Sequence, residues 1–121
     1  VPLQATLDYW EDVGRYMGAA KRDRFYKFYT AAGMDHCRGG VGPDNFGAVS
    51  GEEHPSPDSS NDMLLAMIEW VEKGIEPGAL TASKLKDGQV TMTRPVCPWP
   101  LMVRYKGKGD TNSATSFTCA R

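Results

Sequence analysis

A histidine and a cysteine stand side by side in Met34-Asp35-His36-Cys37-Arg38-Gly39-Gly40, shortly after the aromatic run Arg24-Phe25-Tyr26-Lys27-Phe28-Tyr29. An imidazole titrates near neutral pH, so it can accept a proton and return it within one reaction cycle. A loop leaving a strand is a common place for such a general base, and the glycines that follow let the backbone turn sharply and approach other groups. Residue type alone favours the plainer role of a structural loop histidine. Asp35 is a poor orienting acid for it, because adjacent side chains on an extended loop diverge. A triad would need an acid from elsewhere in the fold.

The other reactive residues carry less. Cys37 could act as a nucleophile beside a histidine, but neighbouring residues rarely reach that geometry, and a disulfide is its more natural role. His54, between Glu53 and Pro55 in a polar loop, reads as solvated. The three cysteines and two histidines show neither Cys-x-x-Cys nor His-x-x-x-His spacing, so neither a metal nor another cofactor is expected. The nucleophile-elbow pattern Gly-x-Ser-x-Gly does not occur, and Gly47-Ala48-Val49-Ser50-Gly51 misses it by one position. Trp10, Trp70 and Trp99 read as core and interface rather than as a ligand box.

The elements that must position His36 follow from periodicity and turn chemistry. Leu3, Leu7, Trp10, Val13 and Met17 recur at helical spacing with Gly18 as a stop. A strand is expected from about Arg24 to Thr30, then the histidine-bearing loop, residues 31–43. Residues 47–61 form a polar loop rich in Gly, Pro and Ser. A second helix starts at Ser60 or Asn61, buries a stripe of Leu64, Met67, Ile68 and Val71, and ends at Gly74. Ala79 to Leu85 and Gln89 to Arg94 flank Lys86-Asp87-Gly88 and read as a hairpin. Pro95, Pro98 and Pro100 are expected to prevent regular pairing beyond it, with one more short strand from Leu101 to Tyr105.

At 121 residues, with 40% hydrophobic and 24% charged residues, the chain has the make-up of one small globular unit. Its net charge of −1 gives no basis for nucleic-acid or anionic-membrane binding, and no apolar run approaches the roughly 18 residues of a membrane helix. The Val1-Pro2-Leu3-Gln4 start is neither an initiator methionine nor a secretory signal and reads like the interior of a longer chain. Three cysteines leave one unpaired within the chain. Cys97 and Cys119 could close a loop, and Cys37 would then be the odd one.

Taken together, these motifs resemble the C-terminal region of the tannase and feruloyl esterase family. The likeness runs through Thr6-Leu7-Asp8-Tyr9-Trp10, Gly33 to Pro43 with the His36-Cys37 pair, Phe46, and Ile68-Glu69-Trp70-Val71-Glu72-Lys73-Gly74. It continues in Thr93-Arg94-Pro95-Val96-Cys97-Pro98-Trp99-Pro100, Arg104 to Asp110 and Phe117-Thr118-Cys119. Each piece is weak, but the shared order and spacing are specific.

The resemblance implies an α/β fold: the C-terminal part of an α/β-hydrolase catalytic domain, with two helices, short strands and a β-hairpin. Residues 1–121 would be one segment, with a disulfide-closed tail at 95–121 and with the upstream part and a lid outside it. The implied activity is hydrolysis of phenolic acid esters, feruloyl or galloyl, by a serine carboxylesterase. His36 matches the triad histidine, Cys37 a cysteine bridged to one beside the nucleophilic serine, and Cys97 with Cys119 a local bridge. The serine, the aspartate, the oxyanion hole, the lid and a lid-associated calcium site would all belong to a remaining N-terminal portion, the expected partner. The chain alone would be inactive, and the disulfides imply a secreted, extracellular setting. The competing expectation is a non-catalytic, truncated module that binds a partner through its Trp and Tyr surfaces.

Overall fold

The structure, a computed structural model, describes residues 3–47 and 54–121. Val1 and Pro2, the middle of the polar loop 47–61, and most of the Gly47 to Gly51 near-motif lie outside the described residues.

The hairpin is the frame. Asp87 and Gly88 both take positive φ, 54° and 73°, the pair of left-handed residues that a tight type I′ connection requires. This turn joins β2 (Leu80–Lys86) to β3 (Gln89–Pro98), antiparallel, with Lys86 opposite Gln89, Leu80 opposite Val96, and a bulge between Lys84 and Leu85. β1, only Tyr29–Thr30, adds to the other side of β3, giving the order β1-β3-β2. A second, two-stranded sheet pairs β4 (Met102–Tyr105) with β5 (Phe117–Ala120), which a 3-10 turn at Ala114–Ser116 introduces. A disulfide between Cys97 and Cys119 ties the two sheets together, as the cysteine spacing allowed.

Pro95 and Pro98 do not end the pairing, since β3 runs through them, whereas Pro100 falls in the turn beyond the strand. Opposite Pro95, the Thr81 N–H turns away from β3 to donate to Ser60 O at 2.7 Å. Pro95 therefore occupies a position that needs no donor toward β2. Pro98 faces Tyr29, while the bond to that side is made one residue on, from Trp99 N–H to Phe28 O at 2.7 Å. A sheet excludes proline only where the ladder needs its N–H, and at Pro95 and Pro98 the bonded side alternates away from it.

Both longer helices have nearly the expected extents but not the expected burial. α1 spans Leu3–Met17 and contains no buried residue, and Leu3 is 58% exposed. α3 spans Met63–Lys73, capped by Asp62 rather than Ser60 or Asn61; the Asp62 carboxylate accepts from Leu64 N–H at 2.8 Å and Leu65 N–H at 3.1 Å. Gly74 closes it in the left-handed conformation as expected. Its apolar stripe faces outward, with Met67 51% and Val71 77% exposed. The inward face is Met63 and Ala66, which meet Leu80, Ala82 and Val96 of the hairpin together with Tyr29 and Phe46.

The expected strand at 24–30 is largely absent. A short helix, α2 (Ala19–Arg22), precedes it, and Phe25 and Tyr26 N–H both donate to Arg22 O, at 3.0 and 2.9 Å. The backbone donors that a strand would offer are thus consumed by a turn. Arg22 is itself buried, its guanidinium 3.3 Å from the centre of the Trp10 ring and bonded to Asp23. This stack seats α2 on α1.

The mixture of small helices and antiparallel sheets is that of a partial α/β domain. Replacing Cys97 and Cys119 with serine opens a loop of sequence separation 22. The local stability of the β4–β5 sheet should fall by about 3 kcal/mol on the chain-entropy account, read as faster hydrogen exchange of its ladder amides with β2–β3 much less affected.

Candidate active site

The loop that carries His36 begins at Thr30, paired with Cys97, and ends at Asn45, which bridges Ser83 of β2. At that return, Asn45 N–H donates to Ser83 O at 2.8 Å and Ser83 N–H to Asn45 O at 2.6 Å. The loop is therefore fastened to the hairpin at both ends.

Between these ends the backbone folds onto itself. Gly42 N–H donates to Gly33 O at 2.8 Å, and Asp35 N–H to Gly39 O at 3.2 Å. Glycine is required for the contact. A Cβ on Gly42 would lie 3.1 Å from the Gly33 carbonyl carbon, and one on Gly40, at φ +87°, 2.9 Å from Asp35 N. Charged side chains complete the packing: Asp44 Oδ2 accepts from Gly39 N–H at 2.6 Å. Lys84 Nζ donates to Gly40 O at 2.6 Å and Gly42 O at 3.1 Å.

His36 stands exposed at the tip. Cys37 takes a left-handed φ of 55°, and its Sγ lies 3.5 Å from His36 Nδ1, so these adjacent side chains meet although such geometry was not expected. Within the chain Cys37 is a free, exposed thiol. Cys97, by contrast, is 1% exposed in its bridge.

The remaining candidates lie elsewhere. His54 is half-buried, and its Nδ1 accepts from Ser56 N–H at 3.1 Å, closing a local turn rather than standing free in solvent. Trp70 lines an apolar groove of about 200 Å³ with Phe25, Tyr29, Met63, Met67 and Leu80, and no residue of the 31–43 loop lines it. Tyr29 donates to Gly78 O at 3.1 Å, and burial, then the nearby Glu76 charge, push its phenol above the ordinary value. Among the described residues, no group of three His, Cys, Asp or Glu side chains is placed to hold a metal.

Asp44 and Lys84, the two charges that hold the loop, escaped the sequence reading. Their partners are backbone atoms, which leave no trace in residue type.

Comparison with known proteins identifies the setting. A family model described as "Tannase and feruloyl esterase" matches residues 1–120. The chain belongs to the tannase and feruloyl esterase family. It is 36% identical over 118 residues to a mono(2-hydroxyethyl) terephthalate hydrolase of Piscinibacter sakaiensis, covering 95% of the chain and 17% of that protein. It is 35% identical to a probable feruloyl esterase B-1 of Neosartorya fischeri, covering 92% of the chain and 22% of that protein. Among solved structures, feruloyl esterase B from Aspergillus oryzae superposes with a TM-score of 0.85 at 29% identity, over 97% of this chain and 24% of that one. The chain thus spans roughly a fifth of the length of the curated relatives it matches.

The close approach at Gly40 makes a graded prediction. Gly39 and Gly40 share positive φ, 85° and 87°, but a Cβ on Gly39 meets nothing within 4 Å. Gly39→Ala should cost about 1–2 kcal/mol, the left-handed penalty alone, and Gly40→Ala distinctly more, measured by denaturant unfolding of the whole protein.

Proposed function

We propose that this chain is the C-terminal segment of an α/β-hydrolase catalytic domain, and that the whole protein is a secreted serine-type carboxylic ester hydrolase. Its substrates are esters of aromatic acids, of the feruloyl or galloyl type. The observation that carries this reading is the family match over residues 1–120 together with an exposed imidazole at the tip of a loop fastened at both ends. The relatives' names support the aromatic acyl group, since ferulate and terephthalate are both aromatic carboxylates.

In this reading, a serine of the remaining portion attacks the ester carbonyl carbon while His36 takes its proton. As the tetrahedral intermediate collapses and the C–O bond breaks, His36 returns that proton to the departing alcohol oxygen. Water then repeats the sequence against the acyl-enzyme. Proton transfer runs through Nε2. Nδ1 turns to an aspartate of the remaining portion, which displaces the weak 3.5 Å contact to the Cys37 sulfur.

The remaining N-terminal portion is the partner that supplies serine, aspartate and oxyanion hole. Cys37, exposed and without a partner in this chain, bridges to a cysteine beside that serine. The outward stripe Leu64, Met67, Ile68 and Val71 of α3 is then covered by the same portion. Without it, the segment has no nucleophile and does not hydrolyse esters.

Three measurements test this. In the intact enzyme, His36→Ala should lower kcat on a feruloyl or galloyl ester by about four orders of magnitude or more while leaving the fold unchanged. Cys37 should resist alkylation until a reductant is added. The isolated chain should show no hydrolysis. Full activity in His36→Ala, or a Cys37 that alkylates freely in the unreduced native protein, would move the chain to the non-catalytic binding module.

A further inference from the structure

Lys84 and Asp44 have no role in the reaction as described, yet they meet the histidine loop at its most constrained point. Lys84 leaves β2 on the same face as Leu80 and Ala82, by strand alternation. Those two are 3% and 2% exposed in the core. At the next position on that face the side chain is a cation, and its partners are two backbone carbonyls, Gly40 O at 2.6 Å and Gly42 O at 3.1 Å. Both carbonyls accept from the one Nζ, so a single ammonium with three donors serves both. Asp44 answers from the opposite sign, taking Gly39 N–H at 2.6 Å. Charge-assisted bonds of this kind are roughly twice as strong as neutral ones.

We propose that Lys84 and Asp44 are positioning residues for His36, a two-charge clamp that fixes the loop backbone three to six residues beyond the imidazole. The claim rests on the reading of His36 as the proton carrier. The clamp is continuous with the hairpin: Ser83, next to Lys84, bonds Asn45, next to Asp44, in both directions. Movement of the loop would have to break these bonds together. The imidazole is thereby held to β2 without any contact to its own side chain, which stays free for a serine and an acid. Displacement by about 1 Å is enough to cost roughly 100-fold in rate.

The test uses the intact enzyme, with Lys84→Met, Lys84→Arg and Asp44→Ala compared with wild type and with His36→Ala. Lys84→Met keeps an apolar stem and loses all donors. It should lower kcat about 10- to 100-fold with KM within about twofold. Hydrogen exchange should quicken about tenfold or more at amides 35–42, while the β2–β3 ladder stays protected. Lys84→Arg should recover most of kcat, and Asp44→Ala should loosen the same amides. Wild-type kcat in Lys84→Met, with His36→Ala inactive, overturns the clamp alone. Loss of protection across the whole hairpin, with kcat and KM changing together, also overturns it, because Lys84 would then be a general fold residue. Should Lys84→Met not fold, Lys84→Gln, which retains an amide donor, makes the same comparison. Retained hydrolysis in His36→Ala overturns the catalytic reading first, and positioning falls with it even where exchange shows a loosened loop.

Discussion

The register of β2 on β3 is the constraint on which the rest depends. Asp87 and Gly88 set it through two left-handed residues, and the side-chain period of a strand does the rest. A slip by one residue would turn Leu80 and Ala82 out of the core and carry Lys84 to the opposite face. Three further attachments assume the same register: β1 on Cys97 and Pro98, Asn45 on Ser83, and Cys119 on Cys97. The core and the histidine loop are therefore two consequences of one pairing. A change at the turn would be felt at His36, although the residues are far apart in sequence.

The hydrophobic distribution points the same way from another direction. α3 turns its smaller apolar face, Met63 and Ala66, to the hairpin and leaves Met67 and Val71 outside. No residue of α1 is fully buried, and the contact that holds it to α2 is a cation over the half-buried Trp10 indole ring. A helix that keeps its richer face outward is organised for burial against something larger than this chain's own core. On the proposed reading, the remaining portion of the enzyme provides that surface.

Several of these elements were legible in the sequence, for identifiable reasons. The hairpin follows from Asp-Gly and the α3 terminus from Gly74, while the Cys97–Cys119 bridge was open to the residues alone and implied by the family resemblance. Burial was not legible, because periodicity reveals that a helix has an apolar face and not what covers it. The strand at 24–30 failed because its aromatic residues favour extended structure, while the Arg22 carbonyl captured the donors at Phe25 and Tyr26. The prolines of β3 failed for the opposite reason. The rule concerns a donor on the bonded side, and which side is bonded depends on a partner the local sequence does not show. β5 escaped because Phe117 to Ala120 has too little pattern of its own and exists by pairing with β4.

The site shows the same division most sharply. A general base that must reach a serine and an acid from elsewhere needs an exposed ring on an immobile backbone, and these two demands conflict in an ordinary loop. On the proposed reading, rigidity is placed behind the ring, in carbonyls and amides bonded to one another and to Lys84 and Asp44. The residue types around His36 need only be small enough to permit the approach, so they read as a flexible stretch, although the backbone is bonded at Gly33, Gly39, Gly40 and Gly42. The information that fixes the loop sits instead on β2, 44 residues beyond Gly40, as a lysine that reads locally as an ordinary solvent-facing strand residue. On the proposed reading, the fitness of His36 for proton transfer is written less in its neighbours than in a cation on β2 that never touches it.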